Sequence, residues 1–202
     1  MKCAIIDYGT GTIQSVHNAI STLGHSVYRS RSDDFDQADV VIFPGQGAFG
    51  PAMAALNAMG IRDSLKAYIQ SGRPFIGICL GFQLLFDGSD ESPGTQGLCV
   101  KQGHFKLFSG AGLSVPQRGW TALAAPETPS VLSAFEGHYF YFVHSFYLPV
   151  PDTPIPGMVM SNYGGHFISA IATSTQLMVQ FHPEKSGESG LQLLELFLKG
   201  VA

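Results

Sequence analysis

The sequence predicts an α/β fold, in which a central, mostly parallel sheet carries helices on both faces and the C-terminal half adds antiparallel strands. In the first half, short apolar runs alternate with amphipathic stretches, as in strand–helix units around a parallel sheet. One run, Pro74 to Ile78, is apolar throughout, which is typical of a strand buried on both faces. From about Leu98 onwards, longer strand-like segments are joined by turns that contain Gly and Pro.

The elements of the first half follow from short stretches of sequence. Ala4 to Ile6 predicts a first strand. Thr12 to Leu23 predicts a helix, because its apolar residues recur at helical spacing until Gly24 ends it. Two further strands and a second helix are predicted over His25 to Arg29, Val40 to Phe43 and Ile61 to Ile69.

The second half is predicted to contain mainly strands. The segments around Phe105 and from Tyr139 to Tyr147 are expected to be antiparallel strands that pack on the sheet or extend it. Gly88 to Gly97 is expected to be a polar surface loop. Leu177 to Phe181 predicts a late strand, and Leu191 to Leu198 a closing helix with leucines on one face.

Length, composition and charge narrow the class of protein. At 202 residues, the chain is expected to form one domain over residues 1–202. Hydrophobic residues make up 45% of the chain, which excludes intrinsic disorder. The net charge is -4 and no basic run occurs, so we expect no nucleic-acid or membrane surface. Only 13% of residues are charged, about half the usual share, which favours coverage of some surface by a protein partner.

The cysteines and the N-terminal segment indicate the compartment. Cys3, Cys79 and Cys99 cannot all pair with one another and lack metal-ligand spacing, so we expect neither a disulfide scaffold nor a metal site. The apolar N-terminal segment is too short for the core of a signal peptide. No apolar run approaches the length needed to cross a bilayer. We therefore expect a cytoplasmic protein without a cofactor.

The first candidate for chemistry is Cys79, which lies between two glycines in the run Gly77 to Gly81. The same spacing around a serine forms a sharp strand-to-helix turn, in which glycines avoid clashes. The N-terminus of the following helix would lower the thiol pKa, and the N–H of Leu80 would point toward a developing oxyanion. The alternative is an ordinary core cysteine at the end of an apolar strand.

The second candidate is the pair His182 and Glu184. A thiol nucleophile needs a base within hydrogen-bond reach and a group that orients this base. His182 at a strand end, with Glu184 two residues later across Pro183, provides both. The alternative is a surface histidine or a hydrogen-bonded core histidine. The other six histidines are weaker candidates, because none has a carboxylate at short range on a turn stiffened by proline.

The third candidate is the turn Pro44 to Gly47, which follows an apolar run. Its backbone N–H groups are suited to form the other half of an oxyanion site. The alternative is a tight turn without a catalytic role.

Together these segments resemble the triad class of glutamine amidotransferases over nearly the whole chain, and within it the glutaminase subunits of imidazole glycerol phosphate synthase. The resemblance rests on IIDYGTG, PGQGAFGPAM, GICLGFQLLF, RGW, YFVHSFY and QFHPEKS. It implies the flavodoxin-like, three-layer fold of class I glutamine amidotransferases. It also implies Cys79 as nucleophile, His182 as base and Glu184 as the group that orients the base. Further implied are glutamine contacts from Gln83, His144 and Ser145, and an oxyanion site at Gly45, Gln46 and Leu80.

The implied reaction is hydrolysis of glutamine to glutamate and ammonia through a thioester. In this family the ammonia passes to a cyclase subunit, a TIM barrel, in a heterodimer that forms imidazole glycerol phosphate and an aminoimidazole carboxamide ribotide. The resemblance places Thr12, Trp120 and Lys185 at the interface. Trp120 is equally compatible with the core, since a single Trp is usually well buried.

Three positions depart from the family pattern: Gln46 replaces an aliphatic residue, and Thr12 and Thr121 each replace an asparagine. They leave open a paralogue that supplies another synthase, such as one in an amino-sugar pathway. A catalytically silent regulatory subunit and a stand-alone thiol hydrolase are further alternatives. The presence of Cys79 with its histidine and glutamate disfavours the silent subunit, and Gln83 with the Pro44 to Gly47 turn disfavours the hydrolase.

Overall fold

A computed structural model describes residues 1–9 and 13–202 of the chain. Thr12, expected at the partner interface, lies outside the described residues. The helices are α1 (Ile13–Thr22), α2 (Phe49–Ala58), α3 (Arg62–Gln70), α4 (Leu80–Gln83) and α5 (Gly187–Gly200). The strands are β1 (Lys2–Ile6), β2 (Ser26–Ser30), β3 (Val40–Phe43), β4 (Phe75–Ile78), β5 (Gly88–Ser89), β6 (His104–Leu107), β7 (Gln117–Ala122), β8 (Tyr139–His144), β9 (Phe146–Pro149), β10 (Met158–Asn162), β11 (His166–Ala172) and β12 (Gln176–Val179).

Ten of the described strands form one mixed sheet, in the order β2-β1-β3-β4-β12-β11-β9-β6-β5, with β10 paired to β11. The strands from β2 to β12 in this order are parallel, and β11, β9 and β10 are antiparallel additions. Strands β7 and β8 form a separate antiparallel pair. The predicted α/β fold, with a mostly parallel sheet and antiparallel strands in the C-terminal half, is confirmed.

Strand β1 shows why the sheet has a covered face on each side. Its side chains alternate, so that Cys3 and Ile5 belong to one buried cluster and Ala4 and Ile6 to another. The first cluster includes residues of α1 and α5, and the second includes residues of α2 and α3. Each of the four residues of β4 is buried, as its apolar sequence predicted.

The sequence pattern did not predict helix α2. Its buried residues Phe49, Ala52, Met53 and Leu56 do recur at helical spacing. The pattern is obscured because the remaining positions are Gly, Pro and Ala except for Asn57, so they provide little polar contrast. Strands β10 and β11 were also missed.

Two predicted segments differ in detail from the structure. Gly88 to Gly97 is not a surface loop throughout, because Gly88 and Ser89 are buried and pair with β6. Tyr139 to Tyr147 is not one continuous strand. It is interrupted at Ser145, since β8 pairs with β7 whereas β9 joins the main sheet. Among the described residues, no helix combines the length and apolar character that membrane crossing requires.

Candidate active site

Cys79 follows β4 directly and has an unusual backbone conformation. Its φ is 55° and its ψ is -109°, a combination of backbone angles that residues other than glycine rarely adopt. Such strain persists where the surrounding structure enforces it, and it is concentrated at functional sites. The side chain is 7% exposed. The expected sharp turn at the end of the strand is therefore present.

Gly81 permits this turn. A Cβ atom at Gly81 would collide with the backbone carbonyl of Phe43, at the end of β3. The absence of a side chain allows the turn after Cys79 to touch the neighbouring strand. Steric crowding by strand β3 thus explains why the second glycine of the motif, Gly81, has no side chain.

The helix that follows the cysteine is short, because α4 has only 4 residues. A single turn aligns only a few peptide dipoles, so its field at the sulfur is weaker than that of a full-length helix. The interactions that activate the sulfur must therefore come mainly from neighbouring side chains.

His182 provides such an interaction. It follows β12, the parallel neighbour of β4, so both chain segments leave the sheet at the same edge. His182 is 1% exposed, and its Nδ1 lies 2.8 Å from Oε1 of Glu184, whose side chain is fully buried. When the Glu184 carboxylate is ionised, Nδ1 of His182 is the donor of this hydrogen bond. Nε2 is buried without a hydrogen-bond partner of ordinary geometry among the described residues, which leaves it available to the sulfur.

The pKa of His182 is controlled by its buried neighbours. Burial lowers it, but interactions with Cys79 and with the Glu184 carboxylate outweigh burial and raise the pKa to about 10. An imidazolium beside a sulfur atom favours the thiolate, which is the nucleophilic form of cysteine. The three side chains therefore have the arrangement that a nucleophile, a base and an orienting group require.

Backbone contacts hold His182 in place. Its N–H donates to the carbonyl of Tyr141 on β8, with a distance of 2.9 Å. The hydroxyl of Ser186 donates to the His182 carbonyl at 2.6 Å and accepts from the Tyr141 N–H at 3.0 Å. Strand β8 therefore anchors the turn that carries the imidazole.

A cavity of about 400 Å³ opens above Cys79. It brings together residues that are far apart in the sequence. The site residues predicted from sequence that line it are Gln46, Cys79, Leu80, Gln83, His144, Ser145 and His182. Gly45 lies just behind the wall, because a Cβ atom there would be 3.0 Å from the Cβ of Leu80. The turn that carries Gly45 and Gln46 is thus packed against the turn at Cys79.

His144 is a neutral group at this cavity. Burial, with a smaller effect of the nearby His182, lowers its pKa to about 4, although a hydrogen bond to the Phe146 carbonyl opposes this shift. Its Nδ1 donates to this carbonyl at 2.7 Å. A positive charge therefore does not accumulate on both histidines.

Two charged lining residues were not singled out from the sequence. Glu91 lines the cavity, and one of its carboxylate oxygens accepts from the N–H of Phe49 at 2.8 Å. Arg118 also lines the cavity, and its side chain has no ion pair or hydrogen bond within the described ranges. Glu91 lay in an apparent surface loop and Arg118 beside Trp120, so only the tertiary structure places them together.

Trp120 and Lys185, the two described residues expected at the interface, lie outside the cavity lining. Trp120 is 54% exposed, which excludes the core alternative, and its ring lies 6.0 Å from that of Tyr141. Lys185 is half-buried at the end of the turn that follows His182. Thr121, one of the departures from the family pattern, lies on β7 and accepts from Gln117 at 2.8 Å.

Solved structures show the same fold. One, described as a glutamine amidotransferase, matches with a TM-score of 0.74 and 17% identity, over 98% of both chains. The structure of PurLQS from Thermotoga maritima matches with a TM-score of 0.70 and 17% identity, over 98% of this chain and 97% of that chain.

Sequence comparisons establish the family. Residues 4–201 match the model of the class-I glutamine amidotransferase family. The imidazole glycerol phosphate synthase subunit HisH of Methanothermobacter thermautotrophicus is 41% identical over 197 residues, which cover 97% of each chain. The chloroplastic imidazole glycerol phosphate synthase hisHF of Arabidopsis thaliana is 44% identical over 96% of this chain, which spans 33% of the plant protein. The chain therefore belongs to the class-I glutamine amidotransferase family and, within it, to the group of HisH subunits of imidazole glycerol phosphate synthase.

Proposed function

We propose that the chain hydrolyses glutamine to glutamate and ammonia and supplies the ammonia to a cyclase subunit for the synthesis of imidazole glycerol phosphate. The observation that carries this proposal is the strained Cys79 at a cavity beside the buried pair of His182 and Glu184. A strained nucleophile, a base and a group that orients the base are the parts needed for acyl transfer.

In the first half of the reaction, the thiolate of Cys79 attacks the side-chain amide carbon of glutamine. The carbonyl oxygen becomes an oxyanion, which accepts hydrogen bonds from the Leu80 N–H and from the turn at Gly45 and Gln46. The C–N bond then breaks as His182 transfers its Nε2 proton to the leaving nitrogen. Ammonia and a glutamyl thioester result.

In the second half, water replaces ammonia. Neutral His182 takes a proton from water while the oxygen attacks the thioester carbon, so a second oxyanion forms at the same place. Cleavage of the C–S bond releases glutamate and restores the thiolate of Cys79 beside the imidazolium. Throughout, Glu184 holds Nδ1 and stabilises the positive ring.

The charges on the cavity wall fit an amino acid substrate. Glutamine carries an α-ammonium and an α-carboxylate, and the wall carries Glu91 and Arg118. We assign Glu91 to the ammonium and Arg118 to the carboxylate. Gln83 and the backbone at His144 and Ser145 complete the contacts.

The partner is inferred from the relatives and from the surface. The name of the Methanothermobacter relative describes a subunit, and the Arabidopsis relative is about three times as long as the segment that matches this chain. The chain itself exposes Trp120 and Tyr139 on the β7–β8 pair. Because free ammonia becomes protonated in water, its transfer requires a sealed contact with the synthase. We propose a heterodimer with a TIM-barrel cyclase through this surface.

The test is glutamate release from glutamine by the purified chain, alone and with the cyclase subunit and its ribulosyl ligand. We expect strong stimulation by the cyclase, and loss of activity in Cys79→Ala under both conditions. Turnover that is unaffected by the cyclase would assign the glutaminase to another synthase. Activity retained in Cys79→Ala, or no turnover in either condition, would contradict the proposed chemistry.

A further inference from the structure

Gln180 is a buried polar residue that the reaction above does not use. It follows β12, whose last residue Val179 pairs with Ile78 at the end of β4. Gln180 therefore lies beside Cys79, although 101 positions separate them. Its exposed fraction is 0%, so its amide must find partners inside the protein.

Its amide connects two site residues. The Nε2 of Gln180 donates to the Sγ of Cys79 at 3.7 Å. Its Oε1 accepts from the Nε2 of Gln83 at 3.0 Å. The Nε2 of Gln83 also lies 3.5 Å from the carbonyl oxygen of Phe146. A chain of hydrogen bonds thus runs from a backbone carbonyl through two carboxamides to the sulfur.

The backbone carbonyl determines the direction of this chain. A carboxamide is able to rotate and exchange its donor and acceptor sides, but a carbonyl oxygen only accepts. The carbonyl oxygen of Phe146 accepts from Nδ1 of His144, and its second bond also requires a donor, the NH₂ side of Gln83. Gln83 then donates to Gln180, whose oxygen must face it. The NH₂ group of Gln180 is left to face Cys79.

We propose that Gln180 is a positioning residue for the nucleophile, which donates an N–H to the Cys79 sulfur and favours its thiolate form. Hydrogen bonds to the charged form of a group stabilise that form. The bond also restricts the sulfur to an orientation toward the cavity. Its consequence for glutamine hydrolysis rests on the proposed function, whereas the effect on the sulfur does not.

The test measures the sulfur directly. The rate of Cys79 alkylation by iodoacetamide is followed against pH by mass spectrometry of the Cys79 peptide, which separates it from Cys3 and Cys99. Gln180→Met keeps the side-chain volume and removes the donor. We expect the midpoint of the profile to rise by about one pH unit and alkylation below the midpoint to slow about tenfold.

Gln176→Met is the matched control. Gln176 is a buried glutamine on β12 that donates to the carbonyl of Ile69 at 2.7 Å and lies outside the cavity lining. Its replacement removes a comparable buried hydrogen bond, so a similar loss of thermal stability is expected. The alkylation profile should stay that of the wild type, because no donor to the sulfur is lost.

A second variant keeps the test decisive if Gln180→Met does not fold. Gln180→Glu preserves the shape of the side chain and, once ionised, places an acceptor opposite the sulfur. We expect an upward shift of the midpoint larger than that of Gln180→Met. An unchanged midpoint in a folded Gln180 variant overturns the proposal, even where glutamate release has fallen. Shifted profiles in a chain without glutaminase activity would support it and contradict only the proposed function.

Discussion

Two histidines at the cavity have pKa values displaced in opposite directions. Burial lowers the pKa of His144 to about 4, whereas interactions with Cys79 and Glu184 overcome burial and raise that of His182 to about 10. The contribution of His144 to the free energy of unfolding is therefore complete above its ordinary pKa of 6.5 and is lost as pH falls toward 4. The contribution of His182 alone is complete below pH 6.5 and is lost as pH rises toward 10.

On the alkaline side, the proton that His182 keeps in the folded chain is balanced by the proton that Cys79 gives up, so the thiolate–imidazolium pair leaves the free energy of unfolding level between about pH 6.5 and 8.5. On the acid side, His144 stays neutral while the unfolded chain takes up a proton, so the free energy of unfolding should fall by about 1 kcal/mol between pH 6 and 5. Urea titrations at several pH values measure this decline. His144→Asn should reduce the decline, and His166→Asn, a change at an exposed histidine, should retain it. An equal decline in wild type and His144→Asn would contradict the assignment of a buried, neutral His144.

Arg118 is expected to act on substrate affinity. Arg118→Met removes the proposed contact with the α-carboxylate, so KM for glutamine should rise about tenfold while kcat stays near the wild-type value. Arg118→Lys, which keeps the charge, should recover much of the affinity. The comparison uses initial rates of glutamate release over a range of glutamine concentrations. An equal KM for wild type and Arg118→Met would remove Arg118 from substrate binding.

At the scale of elements, the site depends on where neighbouring strands end. Strands β3, β4 and β12 are adjacent and parallel, so their C-terminal ends lie at one edge of the sheet. Cys79 follows β4, and His182 lies shortly after β12. Ligands in open α/β sheets bind outside the carboxyl ends of the strands, and this cavity follows that rule.

Helix α5 supports the turn that carries the catalytic candidates. A Cβ atom at Gly190 would collide with the backbone carbonyl of Pro183, between His182 and Glu184. Gly190→Ala must displace one of the two backbones. We expect a loss of about 2 kcal/mol of folding free energy and reduced glutamate release.

Gly200→Ala is the control for this change, because it lies in the same helix with open space around it. It should be neutral or stabilise slightly, since alanine favours helix more than glycine does. Thermal denaturation and glutamate release are measured together for both variants. Equal thermal stability and equal glutamate release in the two variants would mean that the contact between α5 and the turn does not position the site.

At the scale of the whole molecule, an exposed aromatic surface lies close to the candidate triad residues. Trp120 contacts the ring of Tyr141, whose carbonyl accepts from the N–H of His182. A partner that covers Trp120 would therefore lie two residues away from the candidate base. This proximity is compatible with stimulation of the glutaminase by a bound cyclase.

Trp120→Ala should weaken binding of the cyclase subunit by a factor of about ten or more. A loss of this size is typical when a tryptophan at the centre of an interface is truncated. Glutamate release without the cyclase should stay unchanged, because Trp120 does not line the cavity. Leu196→Ala removes another exposed apolar side chain, on α5, and should leave the affinity unaffected. Calorimetric titration with the cyclase measures both. Unaltered affinity in Trp120→Ala would place the interface elsewhere.

The parts of the fold that were predictable have strong local signals. Strand β4 is apolar at nearly every position and α5 repeats leucine on one face, so each signal lies within a few residues. Helix α2 lacked such contrast and β11 lacked alternation, since it is buried along most of its length. The motif at Cys79 predicted the sharp turn, whereas it held no information on the length of the short α4.

By itself, the sequence determined the fold class, the family resemblance and the candidates Cys79, His182 and Glu184, because each depends on residue types at short spacing. The tertiary structure alone decided that Glu91 and Arg118 share a cavity and that Gln180 touches the Cys79 sulfur. It also decided that Trp120 is exposed. The order of the strands and the positions of their ends bring such distant residues together. Local sequence patterns do not predict strand order, so they do not predict these contacts.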